Sequence, residues 1–364
     1  MDDPAVRFNE PQASSEDYPK AAGERDRWIV SHRRSRNSVS TGRPYAFLLE
    51  QEPAANGQVL DTATVFLTGR ECPWRCLMCD LWQNTTTERT PPGAIPAQID
   101  FALTNIRSRR REEALISDRE DGASSRRRLP LSGEVAHQIK LYNSGSFFDR
   151  AAVPVEDYPA IAKRITGFER VVVECHPKLI GDLTWRFRDE LSGSASNGPQ
   201  LEVAMGLETA HPDVLEKLNK RFDLDDFARA AGKLRREHVD LRVFVLVKPP
   251  FMDEQEGVDW AVRSAEFAFE LGATVVSLIP TRLGNGALEA LAQQGHFAPP
   301  KLASLEAAFD RCLALGHGRV FADTWDLGKF STCEGCFTER RCRIEQMNLC
   351  QRILPPVTCQ CRAD

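Results

Sequence analysis

From about residue 135 to residue 280, apolar strand-like runs alternate with amphipathic helical stretches, and this alternation restricts the fold more tightly than any other feature. The strand-like runs are Val135–Tyr142, Arg170–Cys175, Leu201–Gly206, Leu241–Lys248 and Ala273–Pro280. Helical stretches lie between them at Pro154–Thr166, Leu179–Leu191, Pro212–Arg236 and Glu254–Leu271. Parallel neighbours cannot be joined by tight turns, so each strand must return to the sheet through a right-handed helical crossover. Counting the β-branched run Thr62–Thr68 as the first strand, the sequence predicts an α/β fold, a partial (β/α)6 TIM-like barrel. Chemistry in such barrels sits at the C-terminal ends of the strands, so the residues just after each strand are the ones to inspect.

A chain of 364 residues, 42% hydrophobic, is enough for one large domain with appendages. Residues 1–43 read as a polar N-terminal extension, helical around Tyr18–Arg34; 44–325 as the barrel, with a turn near Asn56-Gly57; and 326–364 as a small Cys-rich tail. A helix is predicted over Pro96–Arg107, followed at 108–130 by a charged insertion that carries Arg109–Arg111 and Arg126–Arg128. With almost no apolar residues it reads as a mobile, solvated segment, or as a phosphate-binding arm for RNA. The net charge of −5 gives no overall pull toward nucleic acid or anionic lipid, although it leaves local basic patches open. No run reaches the roughly 18 apolar residues of a membrane helix, so no membrane association is expected. Eleven cysteines behind an opening Met1-Asp2-Asp3-Pro4 predict a reducing, cytoplasmic setting, where clustered cysteines mean metal sites rather than disulfides.

The first strand runs into Glu71-Cys72-Pro73-Trp74-Arg75-Cys76-Leu77-Met78-Cys79-Asp80. Three thiolates so close together can ligate three irons of a [4Fe–4S] cluster, whereas a closed site wants a fourth cysteine nearby and the next is Cys175. One iron is left open for a substrate or cofactor. The bland alternatives are three reduced thiols, or two zinc ligands and a spectator. Other strand ends offer Tyr142-Asn143-Ser144-Gly145, then Glu174 beside a packing residue Cys175, then Glu208, Lys248 and Arg282. Lys248 is suited to meet a carboxylate, and the alternative for Glu208 is a plain ion pair with Lys220 or Arg221.

The C-x3-C-x2-C loop after the first strand of a (β/α)6-like chain resembles the radical S-adenosylmethionine (radical SAM) superfamily over most of residues 60 to 320. Met205-Gly206-Leu207-Glu208-Thr209, His211-Pro212 and Leu218-Asn219-Lys220-Arg221 resemble its Elongator-type branch. The likeness is greater still to the radical SAM enzyme of archaeosine formation in tRNA and its uncharacterised bacterial relatives. This resemblance implies a [4Fe–4S] cluster on Cys72, Cys76 and Cys79, with SAM on the open iron. It implies reductive cleavage of SAM to a 5′-deoxyadenosyl radical, fed by a reductant such as ferredoxin or flavodoxin. Met78 stands where many members carry an aromatic beside the adenine. Asn143, Ser144 and Gly145 match the segment that binds the SAM amino group, although the usual acidic residue is absent, and a tight turn accounts for the same glycine. Glu174 falls at the active face as a cofactor-binding candidate and Glu208 near the SAM ribose or the reacting centre, and Glu208 and Lys248 are the catalytic candidates. Arg282 is suited to the SAM carboxylate or a substrate phosphate.

The tail holds Cys333 and Cys336 as C-x2-C, and Cys359 and Cys361 as C-x-C, around a charged helix-like stretch that contains Cys342 and Cys350. Two close pairs point to a closed tetrahedral site, structural zinc first and an auxiliary iron–sulfur cluster second, with Cys342 or Cys350 able to replace a pair member. The basic run Glu339–Arg343 docks RNA or lines a solvated helix face. Two function classes follow. One is a radical SAM enzyme modifying a tRNA nucleoside, or a small metabolite; the other is a non-enzymatic iron–sulfur or zinc protein serving electron transfer or structure.

Overall fold

The structure, a computed structural model, describes residues 17–120, 136–143, 145–193, 198–359 and 361. In chain order its elements begin with α1 (Ala22–Ser31), the strands β1 (Ala46–Pro53) and β2 (Val59–Leu67), and α2 (Ala94–Glu120). Next come β3 (Gln138–Asn143), α3 (Tyr158–Ile165), β4 (Arg170–Glu174), α4 (Asp182–Ser192) and β5 (Gln200–Glu208). Two helices, α5 (Pro212–Lys217) and α6 (Leu224–Arg236), lead to β6 (Asp240–Val247), α7 (Glu254–Glu270) and β7 (Val275–Pro280). The chain ends with α8 (Ala287–Gln293), α9 (Leu302–Ala314), β8 (Arg319–Ala322) and α10 (Glu334–Cys350).

The strands form one sheet in sequence order, with β1 antiparallel to β2 and every later pair parallel. The predicted partial barrel is thus borne out. The apolar run Tyr45–Leu49 before the Asn56-Gly57 turn forms β1, an antiparallel edge strand, and the sheet gains β8, which at four residues is too short to stand out in the sequence. One face of each strand from β2 to β7 is apolar and buried: Val65, Leu67, Ile139, Leu141, Val171, Val173, Val203, Met205, Val243, Val245, Val276 and Leu278 pack beneath the helices. These alternate with a second set that faces the concave side, as the two-residue repeat of a strand requires.

Two helix boundaries differ from the sequence reading. α2 runs through Glu120, past the expected end at Arg107, because Arg and Glu propagate a helix as well as apolar residues do. The rest of the charged insertion lies outside the described residues. The stretch Pro212–Arg236 is two helices, broken at Leu218–Phe222, where Asn219 and Arg221 take left-handed backbone angles (φ 58° and 64°). Asp223 then restarts the helix, its carboxylate accepting from the Asp226 N–H. Among the described residues, no helix is long and apolar enough to cross a membrane.

Candidate active site and a second cysteine centre

The loop carrying Cys72, Cys76 and Cys79 lies over the C-terminal ends of the strands and is pinned from four directions. The Leu77 N–H donates to the Leu218 carbonyl (2.9 Å), and Asn219 Nδ2 donates to the Arg75 carbonyl (2.7 Å). Both partners come from the break between α5 and α6, which is what that break is for. Asn285 Nδ2, after β7, donates to the Leu77 carbonyl at 2.7 Å. Trp74 stacks on His176 at the end of β4, with ring centroids 3.6 Å apart. Burial pushes all three thiols up, and for Cys76 the Lys220 ammonium is the strongest opposing influence. Such thiols give up their protons to a metal rather than to water.

The segment after α1 completes the loop's setting. Glu71, next to Cys72, receives Arg33 (2.7 Å), Arg36 and Arg75 (3.0 Å). Burial works against this carboxylate, but the hydrogen bonds from Arg33 and Arg36 hold it below the usual range. Arg33 also lies 4.7 Å over the Trp82 ring, and α1 is fastened through Asp26 to Asn219 and Arg221. None of these ties is visible in a sequence that offers only a polar, Arg-rich start.

Of the residues expected at the face, Asn143 ends β3, buried, and its Oδ1 has no hydrogen-bond partner among the described residues. Gly145 packs so close that a Cβ there would sit 3.1 Å from Cys72 Cβ. Ser144 lies outside the described residues. An orphaned acceptor beside a backbone cradle and three thiols is the donor set that the cluster and the amino end of SAM require, so these residues fit both groups. Met78 packs with Leu77, Leu218, Leu246 and Met252 in an apolar patch under the loop.

Glu208 is buried and ion-paired to Lys220 at 2.5 Å, so the plain pairing weighed from sequence is the arrangement present. β5 bulges between Gly206 and Glu208, and Glu208 takes φ 68°, which turns its carboxylate toward Lys220. A side chain at Gly206 would collide with both members of the pair. Burial works against the Lys220 ammonium, while Glu208 and Cys76 hold it charged. Glu174 accepts no hydrogen bond through its carboxylate among the described residues; burial pushes it up to about 8, with Lys220 opposing and Glu208 reinforcing. Lys248 is committed to Glu254 at the start of α7 (2.5 Å). Arg282 holds Asp323 (2.8 Å) and the Trp325 carbonyl (2.7 Å), so its charge braces the loop after β8.

Beneath these groups the concave face is open. Phe66, Tyr142, Glu174, Gly206, Phe244, Ser277 and Phe321, one from each of β2 to β8, are mostly buried yet keep some exposure, while their strand neighbours are closed off. Phe66 meets Tyr142 at 6.1 Å and Trp325 at 5.8 Å, and Tyr142 meets Phe244 at 6.0 Å, giving the lumen an aromatic wall. Its floor is a closed ionic network: Arg242 binds Glu52 and Glu202, and Lys140 binds Glu50 and Glu52. A cleft of about 370 Å³ lined by Gln200, Arg235, His238 and Gly272 lies at the opposite ends of β5 and β6 and shares none of these groups.

In the tail, the sulfurs of Cys333, Cys336, Cys359 and Cys361 all lie within 4.8 Å of one another. Cys342 and Cys350 are exposed and outside the group. The basic run is not an RNA-docking face at two of its positions: Arg340 and Arg343 are buried against α9, paired with Glu306 and Asp310.

No protein-family model matches the chain. It is similar to the archaeosine synthase subunit beta of Methanosarcina acetivorans, 27% identical over 271 residues that span 70% of this chain and 70% of that one. An uncharacterised protein of Methanocaldococcus jannaschii is 22% identical over 284 residues, 75% of this chain and 70% of its own length. The archaeosine resemblance read from the sequence is thereby borne out. Among solved structures, an N-terminally truncated Elp3 of Methanocaldococcus infernus matches with a TM-score of 0.42 and 10% identity, over 58% of this chain and 55% of that chain.

Proposed function

We infer that this chain is an enzyme of the radical SAM superfamily and that it modifies a nucleoside of tRNA. The observation that carries the enzymatic reading is the three-cysteine loop laid over a lumen in which each strand from β2 to β8 presents one partly exposed residue. When bound, the [4Fe–4S] cluster supplies one electron to SAM on its open iron, and SAM supplies the hydrogen-abstracting 5′-deoxyadenosyl group.

The chain's own residues have separable tasks. Cys72, Cys76 and Cys79 hold the cluster, while Trp74, Asn219 and Asn285 fix the loop that bears them. Asn143 Oδ1 awaits a donor, which the SAM amino group provides, and Gly145 lets the backbone come close. Met78 supplies apolar surface for the adenine and helps Leu77 and Leu246 to exclude water. Glu208 and Lys220 neutralise each other, so the site gains polarity without net charge. Glu174 keeps its proton at neutral pH and offers an O–H donor to the occupant of the lumen. The aromatic wall of Phe66, Tyr142, Phe244 and Trp325 suits a flat base drawn out of a nucleic acid strand. The tRNA target is supported by the relatives named for archaeosine synthesis.

The test has two stages. Anaerobically reconstituted protein, given dithionite and SAM, should yield 5′-deoxyadenosine, and Cys76→Ala should yield none; a silent wild type refutes the enzymatic reading. Total tRNA from cells with and without the protein is then compared for modified nucleosides. Identical profiles beside normal SAM cleavage would refute the tRNA target and leave a small metabolite as substrate.

A further inference from the structure

We propose that Cys333, Cys336, Cys359 and Cys361 bind one zinc ion, and that this ion fastens the tail around α10 so that the helix stays seated over the open seam of the barrel. Cys333 and Cys359 stand 3.9 Å apart at their sulfurs, and Cys336 and Cys361 3.6 Å. Zinc–thiolate bonds of about 2.3 Å give a tetrahedron whose sulfurs are about 3.8 Å apart. A cubane places each thiolate on a different iron and spreads them wider. The chain contains its own contrast: among the described residues Cys72, Cys76 and Cys79 form no group as tight as the tail cysteines. All four tail positions are protein thiolates, so the site is closed, as structural zinc sites are.

The surroundings suit a site that carries excess negative charge. Cys333 is the N-cap of α10 and Cys336 lies in its first turn, so the positive end of the helix faces the sulfurs. Arg340, one turn further on and held by Glu306, sets a positive charge that favours the Cys336 thiolate. That is an outer partner of the kind that orients a metal ligand.

From Cys336 to Cys350 the helix climbs about 21 Å at 1.5 Å per residue, and the extended return from Gln351 to Cys359 covers about 26 Å at 3.3 Å per residue. The return strand is held on the way, because Arg343 donates to the carbonyls of Leu354 and Pro355. The four cysteines therefore close a loop with α10 as one side. That helix packs on both β1 and β8, the two ends of the sheet. Asn348 exchanges two hydrogen bonds with the Ala322 backbone (2.8 Å each), and Gln351 does the same with Val320 (2.8 and 2.9 Å). These amides satisfy the outer edge of β8 only while the end of α10 stays down, and the cross-link is what holds that end.

The inference stands apart from the radical SAM reading, and its test does too. Full-length C72A/C76A/C79A protein, which cannot carry the first cluster, is analysed for metals. About one zinc per chain and no iron is expected; iron with sulfide, iron in place of zinc, or no metal overturns the assignment. Should that variant fail to fold, wild-type protein grown with cobalt provides the readout, through the charge-transfer bands of a tetrahedral thiolate site; their absence overturns it equally. Cys359→Ser/Cys361→Ser should lose the zinc and raise amide exchange at Val320 and Ala322 by about tenfold or more, with β4 and β5 unchanged. Zinc loss with unchanged exchange at β8 would refute the seam role.

Discussion

The indole of Trp74 lies flat on the imidazole of His176, the planes within 4° of parallel. Trp74 sits between two of the three clustered cysteines, so this stack joins the cysteine loop to the end of β4. The imidazole is a fixed partner: Nδ1 accepts from the Lys178 N–H and Nε2 donates to the Lys220 carbonyl (2.9 Å). Burial, aided by the Lys220 ammonium, pulls it down to about 3, so it remains neutral through the physiological range. Trp74→Ala should cost the loop about 1 kcal/mol, the worth of an aromatic pair. The expected outcome is severalfold faster bleaching of the cluster in air, followed by absorbance, with Trp74→Phe restoring most of the protection. Equal bleaching rates would show that the stack does not hold the loop.

Lys220→Met strips Glu208 of its only ion-pair partner among the described residues while leaving the carboxylate buried. Removing one half of a buried pair costs about 3–5 kcal/mol. Chemical denaturation should show a loss of that order, and adding Glu208→Gln should recover part of it. A loss under 1 kcal/mol would mean that water reaches Glu208.

Two buried carboxyls give stability opposite slopes with pH. Burial lifts Glu174 to about 8 against Lys220 and with Glu208, so the folded chain keeps a proton that the unfolded chain, titrating near 4.5, has released. Its contribution is intact below about 4.5 and fades as pH rises toward 8. For Glu52 burial works the same way, but Arg242 and Lys140 prevail and hold it well below the usual range. That contribution is present above the ordinary value and disappears as pH falls below it. Urea midpoints measured across pH should therefore lose their decline between pH 5 and 8 in Glu174→Gln and keep their acid limb. An unchanged neutral limb would assign the decline elsewhere.

Arg33→Ala with Arg36→Ala leaves Glu71 with Arg75 alone. Charge-assisted hydrogen bonds are worth about 1.5–3 kcal/mol each before the gain of the freed side chains is subtracted. Residues 71–79 should exchange amide protons at least severalfold faster, with β5 and β6 unaffected. No change would mean that the loop is held by Trp74, Asn219 and Asn285 without help from the N-terminal segment.

The sequence showed the barrel because strand and helix periods are local, and it showed two groups of cysteines because their members fall in short loops. It did not show how the pieces meet. Lys220 was legible as a partner for Glu208, but not its place beside Cys76, because that depends on the break that splits Pro212–Arg236. The aromatic lumen was readable in principle: Phe66, Tyr142 and Phe244 are the aromatic positions on strand faces otherwise marked by the polar residues Thr64, Lys140 and Arg242. Lys248 and Arg282 sat at the right strand ends and then turned to Glu254 and Asp323, pairings with no trace in spacing.

A sheet that does not close on itself leaves a ladder of unpaired peptide groups, and such an edge recruits other chains. In this protein the side-chain amides of Asn348 and Gln351 take the place of a neighbouring strand along β8. The last helix therefore also guards solubility. A chain that loses its grip on β8 would be exposed to self-association before any loss of chemistry could be measured.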